Sequence, residues 1–73
     1  MNHKKTYEEH AERNELLRQK IKRVSVEVRD VMEILGFNST SAALYELHKQ
    51  VELGMIEYEK PKDGKKYGKF YLA

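Results

Sequence analysis

Three observations predict a mainly helical domain, three helices closed by a small antiparallel β-hairpin. Apolar residues recur at three- and four-residue steps over three separate stretches. Glycines stand where the second and third stretches end, at Gly36 and Gly54. Finally, MIEYEK and KYGKFYLA flank PKDGK, in which Asp63 and Gly64 are strong hairpin residues. The chain has 73 residues and therefore makes one domain, and a domain of that size buries only about 60% of its unfolded surface.

Residues 1–5 are expected to be a disordered N-terminus, with a single domain over 6–73. Thr6 and Glu9 have capping-box spacing, so the first helix should start at Thr6, and Glu8, Glu9 and Glu12 suit the positive end of its dipole. Tyr7, Ala11, Asn14, Leu17 and Ile21 follow helical spacing with Leu16 beside them, and Arg18, Lys20, Lys22 and Arg23 gather toward a predicted end near Arg23. Val24, Ser25 and Val26 alternate, which predicts a very short strand. Val28, Val31, Met32 and Leu35 share one face of a second helix that Gly36 ends. After a short turn, Ser39 is placed to cap a third helix that runs to Leu53 before Gly54.

The hairpin register follows from its apolar residues. A two-residue turn at Asp63 and Gly64 would set Ile56 opposite Tyr71 and put Phe70 and Leu72 on the wrong face. A three-residue loop, or a bulge at Gly68, shifts the pairing by one and brings Ile56, Tyr58, Phe70 and Leu72 to one side, and this is the expected arrangement.

Composition removes several classes of function. Without cysteine there is no disulfide scaffold and no thiolate zinc site, which fits a reducing, cytoplasmic environment. No apolar run reaches the roughly 18 residues of a membrane span, and the start MNHKKTYEEH is too polar for a signal peptide. His3, His10 and His48 lack metal-ligand spacing, no glycine-rich phosphate loop occurs, and the carboxylates are expected on solvated helix faces or the hairpin. An enzyme, a metal, a cofactor or a small-molecule ligand is therefore not expected. Net charge is only +2, but residues 60–69 carry five lysines against one aspartate.

The third helix offers a surface that suits a nucleic-acid groove. With its core centred on Leu47, the positions Ala43, Gln50 and Val51 fall inward and Leu44 lies at the core edge. Ser41, Ala42, Tyr45, His48, Lys49 and Glu52 fall on the far side. The first turns of a recognition helix must approach base edges closely in a major groove about 12 Å wide, and small residues permit that. Ser39, Thr40, Ser41, Ala42, Tyr45 and His48 are the candidate base-reading residues. Lys20, Lys22, Arg23, Lys49, Lys60, Lys62, Lys65, Lys66 and Lys69 are the candidate phosphate contacts. Each feature also has an ordinary explanation: Ser39 as a helix cap, Tyr45 and His48 as solvated side chains, and hairpin lysines as a guard against edge-to-edge aggregation.

The segment LGFNSTSAALYELHKQVELGMIE resembles the winged helix-turn-helix of the SOS-response repressor LexA family. The resemblance rests on Leu35, Gly36, Phe37, Ser39, Ala42, Ala43, Leu47, Gly54, Met55, Ile56 and Glu57, and extends more loosely over the rest of the chain. It implies a winged helix of three helices plus wing, with base-reading positions at Ser39, Ser41, Ala42, Leu44 and Tyr45. Leu44 and Tyr45 stand where that family has polar or acidic residues, and VSVEV replaces its proline-containing approach to the second helix. The likeness stops short of the family's self-cleaving domain, so no serine–lysine peptidase is expected. The wing is equally similar to small multiple-antibiotic-resistance-type and phage regulators.

Two functions are therefore expected, the first being a sequence-specific binder of double-stranded DNA. It would be a small prokaryotic or phage transcriptional regulator such as a repressor, nucleoid-associated and homodimeric at least on DNA. The alternative is a winged-helix protein-interaction module, an antirepressor or phage-encoded inhibitor. In that case Leu44 and Tyr45 would be an apolar anchor, and the acidic Glu8, Glu9, Glu12 and Glu15 would repel DNA if they lay on the binding side.

Overall fold

The computed structural model describes residues 3–64 and 68–72, with side chains from Thr6 onward. The elements run α1 (His3–Lys20), β1 (Ser25–Val26), α2 (Val28–Leu35), α3 (Thr40–Glu52), β2 (Ile56–Glu59) and β3 (Lys69–Leu72). The strands form one antiparallel sheet in the order β1-β3-β2, so the last strand is inserted between the other two.

The first helix departs from expectation at both ends. It begins at His3, not at Thr6, which leaves residues 3–5 inside the helix. Nothing in His3, Lys4 or Lys5 breaks a helix, and the first amides of a surface helix can be satisfied by water. It ends at Lys20, short of Arg23, because the sheet claims the next stretch. After the Ile21 N–H donates to Leu17 O at 2.8 Å, the Val24 carbonyl accepts from the Leu72 N–H at 2.7 Å.

The start of α2 is held by side chains. The Glu27 N–H donates to the Asp30 carboxylate at 2.9 Å, and Arg23 binds the same carboxylate oxygen. Gly36, with φ of 75°, closes the helix in the left-handed region. Ser39 then starts α3, its Oγ accepting from the Ala42 N–H at 3.1 Å. At the far end of α3, Met55 N–H donates to Gln50 O at 2.8 Å and Gly54 N–H to Val51 O at 3.0 Å, the paired bonds of a Schellman closure.

The core gathers Leu17 and Ile21 from α1 and its end, Val26 from β1, Val31 from α2, Ala43 and Leu47 from α3, Ile56 from β2 and Phe70 from β3. Ile56 pairs with Leu72 and Tyr58 with Phe70, the register shifted by one from a two-residue turn. Ile56 and Phe70 are therefore buried together while Glu57 and Glu59 face solvent.

Candidate functional site

The outward side of α3 holds together the residues expected there. Tyr45 lies roughly 160° around the helix from Leu47, and it is 68% exposed. Thr40, Ser41 and His48 are also exposed, and Ala42 is half-buried. Ser39 is exposed with its Oγ engaged as the helix cap, which still leaves the hydroxyl proton to donate. Lys49 is half-buried and lies 3.7 Å from the Glu52 carboxylate, so its charge is partly answered within the helix.

The hairpin is fastened to this helix by aromatic rings. The His48 ring meets Tyr58 at a centroid distance of 5.3 Å and Phe70 at 5.2 Å, both edge-to-face, while Tyr58 and Phe70 are 4.9 Å apart. His48 thus sits between the α3 surface and the hairpin, one side against rings and one side wet. Lys60, Lys62 and Lys69 of the hairpin are exposed, with Lys69 opposite Glu59 in register. Lys65 and Lys66 lie outside the described residues.

The cationic end of α1 is placed differently. Lys20, Lys22 and Arg23 are exposed. Arg23 is tied to Asp30 and lies 4.0 Å from Glu27. The nearby Arg18 donates to the Met55 carbonyl at 3.0 Å, so this end of α1 lies level with the C-terminal end of α3, away from Ser39.

Behind α3 lies a buried polar seam that apolar periodicity did not reveal. Glu46 Oε2 accepts from His10 Nδ1 at 2.7 Å and from Gln50 Nε2 at 2.9 Å, and Glu46 Oε1 accepts from Arg13 at 2.9 Å. One turn further along, Asn14 Nδ2 donates to Gln50 Oε1 at 3.0 Å, while Asn14 Oδ1 accepts from Arg18 Nε at 2.7 Å. Carboxylate oxygens only accept, so the His10 proton sits on Nδ1, and Arg13, 3.4 Å from that nitrogen, directs its donor to Glu46 instead. Glu46 is 2% exposed and Gln50 fully buried, contrary to the expectation that every carboxylate would be solvated. The buried stripe of α1 accordingly runs through His10, Asn14, Leu17 and Ile21, while Tyr7 is half-exposed and Leu16 is exposed. The available signal was polar: Asn14 in an otherwise apolar stripe, and an inward-falling Gln50.

The acidic side chains Glu8, Glu9, Glu12 and Glu15 are all exposed. Glu12 lies roughly 160° around α1 from Asn14, so the acidic face turns away from α3. Among the described residues, no group of three or more histidines and carboxylates is arranged to hold a metal ion, and no helix is long and apolar enough to cross a membrane. No family model, curated protein or solved structure matches this chain.

Proposed function

We propose that this chain is a sequence-specific double-stranded-DNA-binding protein with a winged helix-turn-helix fold, α3 being the helix that enters the major groove and the β2–β3 hairpin the wing. The order of helices and strands and the central place of β3 support that fold. The observation that carries the function is the outward face of α3: small and hydroxyl-bearing at its first turn, with Tyr45 68% exposed, and joined through His48 to a hairpin that carries exposed lysines. In this reading Ser41, Ala42 and Tyr45 meet base edges, and Lys60 and Lys62 meet phosphates. Lys20 and Lys22 would engage only DNA that reaches the C-terminal end of α3.

A single module of this kind buries roughly 600–1,000 Å² of its own surface on DNA, so the operator-bound species is a homodimer on two half-sites about one helical turn apart. The role is transcriptional regulation in a prokaryote or phage, at the nucleoid. A competing reading, a protein-interaction module, is favoured by an open groove of about 440 Å³ bordered by Leu44, Val28 and Phe70.

Titration against random-sequence duplex at two salt concentrations tests the proposal. Binding that weakens with salt, with a slope near −0.9 per neutralised phosphate, is expected. Millimolar or absent binding without salt dependence would assign the chain to a protein partner instead. Selection from a random duplex library then yields the half-site and its spacing.

A further inference from the structure

The polar seam between α1 and α3 has no part in DNA contact, yet it holds a histidine, a glutamate, an asparagine and a glutamine that are all buried. None of the buried side-chain nitrogen or oxygen atoms among the described residues lacks a partner. His10 meets Glu46 and Asn14 meets Gln50, both pairs separated by 36 residues. A constant separation over successive turns means that α1 and α3 run parallel in fixed register, with one polar rung per turn.

Apolar contacts such as Leu17 and Leu47 are non-directional and tolerate rotation or sliding of a helix. Hydrogen bonds weaken steeply with angle, and a buried polar atom deprived of its partner bears the full desolvation cost. A slide of α3 by one turn in either direction takes Glu46 off His10 and Gln50 off Asn14. Turning α3 by one residue, roughly 100°, points Glu46 and Gln50 away from every partner they have on α1. Buried ionic and polar groups add little net stability compared with apolar residues of the same volume, whereas a single buried polar residue can fix the register of two packed helices, as a core Asn does in coiled coils.

We infer that the His10–Glu46 and Asn14–Gln50 rungs are a positioning device that sets the rotation and axial register of α3 on α1, and thereby which side chains of α3 reach the bases. Glu46 directly follows Tyr45 in the same helix, so any rotation of α3 that turns Glu46 carries Tyr45 through the same angle. The specificity half of this inference rests on the DNA-reading function proposed above; the orientation half does not.

The test replaces the seam with apolar residues of similar volume in the full chain: His10→Leu, Asn14→Leu, Glu46→Met and Gln50→Met together. Arg13 is 37% exposed at its side chain and Arg18 is exposed, so both can turn to water in the variant. Expected are a cooperative melt at or above the wild-type temperature and α3 amide resonances that are broadened or doubled. Preference for the selected duplex over single-base variants of it should fall about fivefold or more, the scale of one base-pair contact. A folded variant with one sharp set of α3 resonances and unchanged preference overturns the inference. If the fourfold variant does not fold, the pair Asn14→Leu with Gln50→Met, which leaves the Glu46 rung in place, is judged by the same two readouts. Should wild-type protein show no preference among duplexes, the DNA-reading function fails, and the amide spectra alone decide whether the seam orients α3.

Discussion

Asn14 Nδ2 donates to Gln50 Oε1 across 3.0 Å in a part of the core where Gln50 has no exposed surface at all. This amide pair joins the first helix to the third, and through Gln50 it reaches Glu46 one turn earlier. The surface proposed to meet DNA is therefore backed by polar contacts with geometric demands, in addition to the apolar packing of Leu47 and Ala43.

Removing one member of the seam should cost far more than replacing the whole of it. Glu46→Ala strands His10, Gln50 and Arg13 at once, and a destabilisation of about 3 kcal/mol is expected, at the lower end for a broken buried pair because Arg13 can hydrate. Urea unfolding at constant m-value measures it. A change below about 1 kcal/mol would show that water replaces the carboxylate without strain.

Two glycines should respond differently to alanine. At Gly36 the space beside Cα is empty and only φ of 75° resists a side chain, so Gly36→Ala should destabilise by about 1 kcal/mol. At Gly68 an added Cβ would lie 2.7 Å from two Tyr58 ring carbons and would collide with the Glu59 carbonyl, so the hairpin must shift. Gly68→Ala is expected to cost about 2–3 kcal/mol, and equal melting temperatures for the two variants would contradict this ordering.

The cap at the turn is separable from its exposed neighbours. Ser39→Ala deletes the bond to the Ala42 N–H and should lower stability by about 1 kcal/mol. Thr40 is exposed at the first helical position, one residue past the cap. Thr40→Ala should therefore stay within about 0.5 kcal/mol of wild type by thermal melting.

Tyr45→Ala should leave folding unchanged within about 0.5 kcal/mol, since the ring is 68% exposed. Binding to the selected duplex should weaken by about 1–3 kcal/mol at the base pair it faces, with other positions unaffected. A selection experiment that returns the same site for wild type and variant would remove Tyr45 from the reading surface.

His48 is expected to act through the hairpin. His48→Ala takes the ring away from both Tyr58 and Phe70, and each of these aromatic pairings is worth about 0.5–1.5 kcal/mol, so amide exchange in β2 and β3 should quicken. His48→Phe should restore protection while leaving duplex preference intact. A fall in preference in His48→Phe despite a protected hairpin would return the imidazole to a direct role at the bases.

The order of elements, the β2–β3 register and the outward face of α3 were legible in the chain, because each depends on local chemistry. Ser39 as cap, Gly36 as terminator, and the alternation of Ile56, Tyr58, Phe70 and Leu72 act within a few residues of themselves. The ends of α1 were less legible. His3 starts a helix without a side-chain signal, and the helix stops short of Val24 because Leu72, far along the chain, takes the Val24 carbonyl into the sheet.

By itself, then, the sequence determined which segments become helix or strand and which side of the third helix stays polar and small, since periodicity and caps are properties of neighbours along the chain. Only the tertiary structure decided that His10, Asn14, Glu46 and Gln50 complete one another, and that His48 lies against Tyr58 and Phe70. The physical reason is that a polar residue inside a helix has no preferred partner until another helix brings one within hydrogen-bond distance, and that pairing is set by packing across 36 residues of chain.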